Sequence, residues 1–243
     1  MPITATLVPI LKDNYAWLLR DAATGATAIV DPAEAGPCIR AIEQAGGRLD
    51  LILLTHHHAD HTAGTDEVRA RFSAGVQVVG AAADAHRLPR LDRTVREGDT
   101  VALGNSSATV IETPGHTVGQ INFYFPDGGV LCSGDTLFSL GCGRIIEGTQ
   151  QQLYDSLQRL AALPDETLVC CGHEYTESNG RFAEHVDPSN KALQARIAEV
   201  KAQRAAGKPS VPSTMASERA TNPFLLAPDL ASFTDRRARK DRF

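Results

Sequence analysis

The chain has 243 residues, 42% of them hydrophobic and 22% charged, with a formal net charge of −5. That length can bury a substantial core, and the acidic balance excludes general nucleic-acid binding, which needs a basic surface to release counterions. No apolar run approaches the ~18 residues of a membrane span, and the start MPITATLVPI lacks the basic and apolar regions of a secretory signal, so a soluble, cytoplasmic protein is expected.

In chain order, short strands are predicted over residues 4–8, 16–20 and 26–30, the last stopping at Asp31-Pro32. Residues 37–45 read as a helix closed by Gly46-Gly47. A buried strand over 49–54, a helix over 65–73 and a strand over 76–80 follow. Further strands are expected over 100–103, 108–112, 120–125 and 129–132, then a helix over 151–160 and a strand over 167–171. Alternating strands and helices with hairpin-like pieces argue for two sheets covered by helices. From about Tyr175 the composition turns helical, with a long pattern over 189–206 that stops at Gly207-Lys208-Pro209. Residues 231–243 carry five basic side chains against two acidic ones, reversing the sign of the whole chain.

Five cysteines without a C-x-x-C pair fit a reducing compartment better than a disulfide scaffold. Adjacent Cys170 and Cys171 read as small apolar fillers at a strand end.

The chemistry appears at the C-terminal ends of four predicted strands. The strand at residues 51–54 runs into His56, His58, Asp60 and His61; the others run into His116, into Asp135 and into His173. Each cluster stands where a buried strand empties into a glycine-containing loop, the usual place for site residues in layered α/β proteins. His56 and His58 are two apart and point one way in extended chain, while His57 points the other; it reads as a hydrogen-bonded neighbour. Seven imidazole and carboxylate groups exceed what one closed, four-coordinate structural site requires. A pair of ions about 3.5–4 Å apart fits that number and points to hydrolysis. His86 and His185 have no such partners in the sequence.

The string Thr55-His56-His57-His58-Ala59-Asp60-His61 resembles the T-H-x-H-x-D-H signature of the metallo-β-lactamase superfamily, and PGHT, GDTLF and GHEYT follow in that family's order. DNYAWLL, GDTLFSLGCGRIIEGT, GHEYTESN, TNPFL and the final RRARKDRF are similar to the hydroxyacylglutathione hydrolase (glyoxalase II) family over nearly the full length. The resemblance implies an α/β fold, the αββα four-layer sandwich, with a helical C-terminal subdomain. It divides the chain into a catalytic domain at 1–174 and a glutathione-binding subdomain at 175–243. It gives His56, His58 and His116 to one divalent metal ion and Asp60, His61 and His173 to another, with Asp135 bridging them. Zinc is the first candidate for both, and iron or manganese also suit such ligands. The same resemblance makes Asp60 and Asp135 the catalytic carboxylates.

Arg144, Tyr175, Arg237 and Lys240 fall at positions that contact the glutathione part of the substrate. Arg144 stands where many members carry lysine, and Ile146 where some carry a glutathione-holding tyrosine. The implied activity is hydrolysis of the thioester S-D-lactoylglutathione to D-lactate and glutathione by a monomer without nucleic-acid or membrane partners. A mono-iron persulfide dioxygenase on the same fold is the alternative, and a non-catalytic metal-binding module a more distant one.

Overall fold

The computed structural model describes residues 3–72 and 75–243 and divides into two compact units, Met1–Glu112 with Gly119–Gly134, and Thr113–Val118 with Asp135–Phe243.

In the first unit the elements are β1 (Ile3–Ile10), β2 (Asn14–Asp21), β3 (Thr27–Val30), α1 (Ala35–Gln44), β4 (Leu51–Leu53), α2 (Ala59–Thr62), α3 (Thr65–Arg71), β5 (Gln77–Ala81), β6 (Arg93–Val95), β7 (Thr100–Leu103), β8 (Ser106–Glu112), β9 (Ile121–Phe125) and β10 (Val130–Gly134). Strands β1 to β6 form one sheet in sequence order, antiparallel from β1 to β3 and parallel from β3 to β6. Strands β7 to β10 form an antiparallel meander.

Residues β3 and β4 are buried throughout, as expected for parallel strands covered on both faces. The register sets Ile29 beside Ile52 and Ile52 beside Val78. These three share a core with Cys38 and Ile42 of α1 and Val68 of α3. The buried residues of α1 are Ala35, Cys38 and Ile42, a spacing that lays one apolar stripe on the sheet. The predicted helix at 65–73 is α3, with Ser73 outside the described residues.

In the second unit the elements are β11 (Leu137–Phe138), β12 (Gly141–Cys142), α4 (Gln150–Ala161), β13 (Leu168–Cys171), α5 (Thr176–Val186), α6 (Lys191–Ala205), β14 (Ser213–Thr214), α7 (Met215–Thr221) and α8 (Leu230–Lys240). Helix α4 starts at a capping box in which Thr149 and Gln152 satisfy each other's backbone N–H groups. The long pattern at 189–206 becomes α6, entered where the Asn190 side chain accepts the Leu193 N–H at 3.0 Å. Helix α8 is capped by Asp229, which accepts the Ser232 N–H at 2.8 Å. The rings of Phe182, Phe224 and Phe233 pack in series, with centroids 5.9 and 5.8 Å apart. All five cysteines are buried, and none is in a disulfide. Among the described residues no helix is long and apolar enough to cross a membrane.

Candidate metal centre and substrate cleft

The first unit carries four of the seven expected ligands on residues 56–61, directly after β4. Their orientation is set by a residue the sequence reading treated only as a strand stop. Asp31, with φ of +51° at the end of β3, is buried among donors. Its Oδ1 accepts the Thr55 N–H at 2.8 Å; its Oδ2 accepts the Thr55 hydroxyl at 2.6 Å and His61 Nδ1–H at 2.9 Å.

Donor arithmetic then fixes both tautomers. A carboxylate only accepts, so the single Thr55 hydroxyl proton goes to Asp31. The Thr55 oxygen, 3.0 Å from His56 Nδ1, therefore accepts from that nitrogen. In both rings Nε2 is left as the lone-pair nitrogen, the form a metal requires. His56 Nε2 lies 3.1 Å from His58 Nδ1, and His61 Nε2 lies 3.9 Å from Asp60 Oδ2. Asp31, His56 and His61 also converge as a possible ligand group, yet both Asp31 oxygens are already taken by donors, so Asp31 orients ligands instead of joining them.

Asp60 is the exposed member, with 46% of its side chain in contact with solvent. The Asn14 amide holds it twice, donating to its backbone carbonyl at 3.0 Å and to its Oδ2 at 3.1 Å. His57 turns away to Asp84 Oδ2 at 3.1 Å, a carboxylate that Arg87 also pairs with at 2.5 Å. Gly134, at φ of +48°, is a glycine for two reasons: its backbone is left-handed, and a Cβ would stand 2.5 Å from the Thr55 hydroxyl.

The second unit carries His116, Asp135 and His173. His116 Nδ1–H donates to the Arg144 carbonyl at 2.7 Å, which again leaves Nε2 as the coordinating nitrogen. One oxygen of Asp135, Oδ2, lies 3.5 Å from His116 Nε2 and 3.4 Å from His173 Nε2. Those separations exceed good hydrogen bonds. They match ligand atoms around a tetrahedral ion, where two donors each about 2.1 Å from the metal stand about 3.4 Å apart. The residues present thus fit a divalent metal in donor type, tautomer and spacing.

The same unit gathers the four expected substrate residues. Arg144, Tyr175, Arg237 and Lys240 border one cleft of about 340 Å³, together with Phe138 and Asp241. Tyr175 stacks on His173, with ring centroids 4.5 Å apart and planes 7° from parallel. Arg237 is buried: it donates to the Cys142 carbonyl at 3.1 Å and to Asp241 Oδ1 at 2.8 Å, and lies over the Phe224 ring at 4.9 Å. Lys240 donates to the Ser178 carbonyl at 3.1 Å. Burial, with the Arg237 and Arg181 charges beside it, pushes the Lys240 ammonium down to about 8. Ile146 is 58% exposed and is not among the residues bordering the cleft.

The sequence reading missed Asp31, Asn14 and Asp241. Asp31 and Asp241 carried no signal beyond their acidity, and Asn14 was visible only as part of DNYAWLL.

Residues 11–173 match the family model described as the metallo-β-lactamase superfamily, and residues 174–243 match the one described as hydroxyacylglutathione hydrolase C-terminus. The chain is 57% identical to a hydroxyacylglutathione hydrolase from Acidiphilium cryptum, over 99% of this chain and 97% of that one. A hydroxyacylglutathione hydrolase from Cereibacter sphaeroides is 49% identical with both chains fully covered. Among solved structures, the BLEG-1 B3 metallo-β-lactamase superposes with a TM-score of 0.71 at 23% identity, covering 92% of this chain and 100% of that one. ETHE1 from Myxococcus xanthus superposes with a TM-score of 0.72 at 27% identity, covering 98% and 90%. The fold is therefore the metallo-β-lactamase sandwich with a helical C-terminal region. The match at 174–243 leaves the mono-iron dioxygenase alternative less supported. By sequence over its full length, this chain belongs to the hydroxyacylglutathione hydrolases, a family of the metallo-β-lactamase superfamily.

Proposed function

We propose that the chain hydrolyses S-D-lactoylglutathione, adding water across the thioester to give D-lactate and glutathione, with residues 1–174 supplying the chemistry and 175–243 holding glutathione. The observation that supports it most is the single Asp135 oxygen set 3.5 and 3.4 Å from two imidazole Nε2 atoms. On the family pattern, His56, His58 and His116 hold one divalent ion, Asp60, His61 and His173 hold the second, and Asp135 bridges. Zinc is the first candidate, with iron and manganese as rivals. Bound there, such ions would lower the pKa of a water towards neutrality and supply positive charge for the carbonyl oxygen.

The chain's own side chains do the rest. Asp60, steadied by Asn14, orients the attacking water. Asp31 and Thr55 keep His56 and His61 in their metal-binding tautomers. Arg144, Tyr175, Arg237 and Lys240 bind the glutathione part, the cations pairing with its carboxylates. The leaving thiolate has a parent pKa near 8.5, as for free cysteine, and departs without a strong general acid. Five buried cysteines without a disulfide suit a reducing cytoplasm, and we take the working form to be a monomer.

The test is thiol release from S-D-lactoylglutathione by protein of measured metal content. Release that scales with two ions per chain is expected. One iron per chain, with oxygen consumed on glutathione persulfide and no thiol released from the thioester, would replace this reading with the dioxygenase.

A further inference from the structure

Within the cleft one group has the wrong sign. Arg144, Arg237 and Lys240 supply three cations, and Asp241 adds a carboxylate among them. Asp241 is the C-terminal cap of α8, where the helix dipole disfavours an anion. Its Oδ1 pairs with the buried Arg237 guanidinium one helical turn back, which offsets part of that guanidinium's desolvation. That pairing engages one oxygen of a carboxylate that borders an otherwise cationic cleft.

The two oxygens differ. Oδ1 takes both guanidinium contacts, 2.8 Å from Arg237 and 3.7 Å from Arg144 Nε. Among the described residues no side chain bonds Oδ2, and the side chain is 37% exposed. Arg144 itself is 70% exposed, and at 3.7 Å the pair is not closed into a hydrogen bond. The outer end of the cleft thus presents a cation and an anion side by side. The complement of such a pair is an α-amino-acid head, which carries an ammonium and a carboxylate on one carbon. Glutathione has one such head, on its γ-glutamyl residue, and a separate glycyl carboxylate. Arg237 and Lys240 remain for the latter.

We propose that Asp241 receives the α-ammonium of the substrate's γ-glutamyl residue, beside Arg144 on its carboxylate, so that the cleft selects thioesters whose thiol carrier has an unblocked amino-acid head. This rests on the thioesterase reading above and specifies its substrate class.

The experiment uses the metal-loaded full chain with two substrates, S-D-lactoylglutathione and its N-acetyl derivative, which lacks the ammonium charge. The wild type should favour the free amine by about tenfold in kcat/KM, mostly through KM, the size of one charge-assisted hydrogen bond. Asp241→Asn should bring the two substrates to within about twofold, and Asp241→Glu, which keeps the charge, should restore the preference. A wild type indifferent to acetylation overturns the proposal. So does Asp241→Asn raising KM equally for both substrates, since Asp241 would then act only as Arg237's partner. A preference that persists in Asp241→Asn assigns the effect to the bulk of the acetyl group and overturns it as well. Absence of hydrolysis of either substrate by loaded wild type removes the thioesterase reading itself.

Discussion

The histidine loop of the first unit and the cleft of the second both concentrate charge-bearing side chains, and they hold them by opposite means. In residues 55–61 the contacts that set His56 and His61 run inward. His56 donates to Thr55, Thr55 to Asp31, and His61 to the same Asp31, all of them buried. In the cleft the cations are held by carbonyl oxygens, those of Cys142 for Arg237 and Ser178 for Lys240, and Arg144 extends into solvent. Coordinating a metal demands one tautomer and one ring orientation, so an error there costs the ion. Binding a flexible peptide demands only that charge be near, so an error costs affinity. Substitutions should therefore separate the regions by which kinetic constant moves.

The largest effect belongs to Asp135. Alanine there removes the oxygen set between His116 and His173, the carboxylate that on the proposed reading bridges two ions. Activity should fall by more than the ~100-fold upper range seen for partners outside the coordination sphere, with metal content falling in step. A variant that retains two ions per chain by metal analysis contradicts the bridging role.

Next comes Asp31→Asn. Asparagine tolerates the left-handed backbone at φ of +51°, so the turn survives. Its oxygen can still accept from Thr55, but its amide cannot accept from His61 Nδ1. Metal affinity should drop about 10–100-fold, measured by competition with a chelator, while secondary structure stays unchanged. Unaltered affinity would mean that His61 needs no orienting acceptor.

These two residues also mark what was legible in the sequence. The seven ligand types were visible because imidazole and carboxylate at strand ends have few other reasons to cluster. Asp31 was not, because it lies 24 residues from Thr55 and meets it only through the parallel register that sets Val30 beside Leu53. Helix α6 was legible by its periodic length and by the stop at Gly207, a left-handed residue at φ of +69°. The hairpin β11–β12 was not: its strands are two residues each, and it is pinned by the Asn222 amide to the carbonyls of Phe138 and Gly141, more than 80 positions away. The cleft residues followed from family resemblance alone, since no periodicity relates Arg237 to Cys142 across 95 positions.

Smaller effects are expected in the cleft. Arg237→Ala with Lys240→Ala should raise KM for glutathione thioesters by about tenfold, the size of one charge-assisted bond at the low end of its range of roughly 1.5 kcal/mol, with kcat nearly unchanged. Arg237 also packs over Phe224 and anchors Cys142, so Lys240→Ala alone is the control that leaves that packing intact. A kcat loss as large as the KM change would place these residues with the metal loop and erase the distinction between the regions.

The smallest effect is a drift of KM with pH, and its sign follows from Lys240. Burial comes first in lowering its ammonium to about 8; Arg237 on its own helix and Arg181 on α5 push the same way, and Asp241 opposes them. Cys142, facing it from the hairpin, has its thiol pushed up to about 11 by burial and is neutral over this range. Below about pH 8 the lysine is charged, as the proposed pairing with a substrate carboxylate requires; above it the charge is lost, so KM should rise a few-fold towards about pH 9.5. On the proposed reading the histidine loop acts on kcat and Lys240 on KM, so the two constants are followed separately. Lys240→Arg keeps a cation throughout, because guanidinium does not discharge in this range, and its KM should stay flat across the same interval. A wild-type KM as flat as that of Lys240→Arg would show that Lys240 carries no part of the substrate's charge.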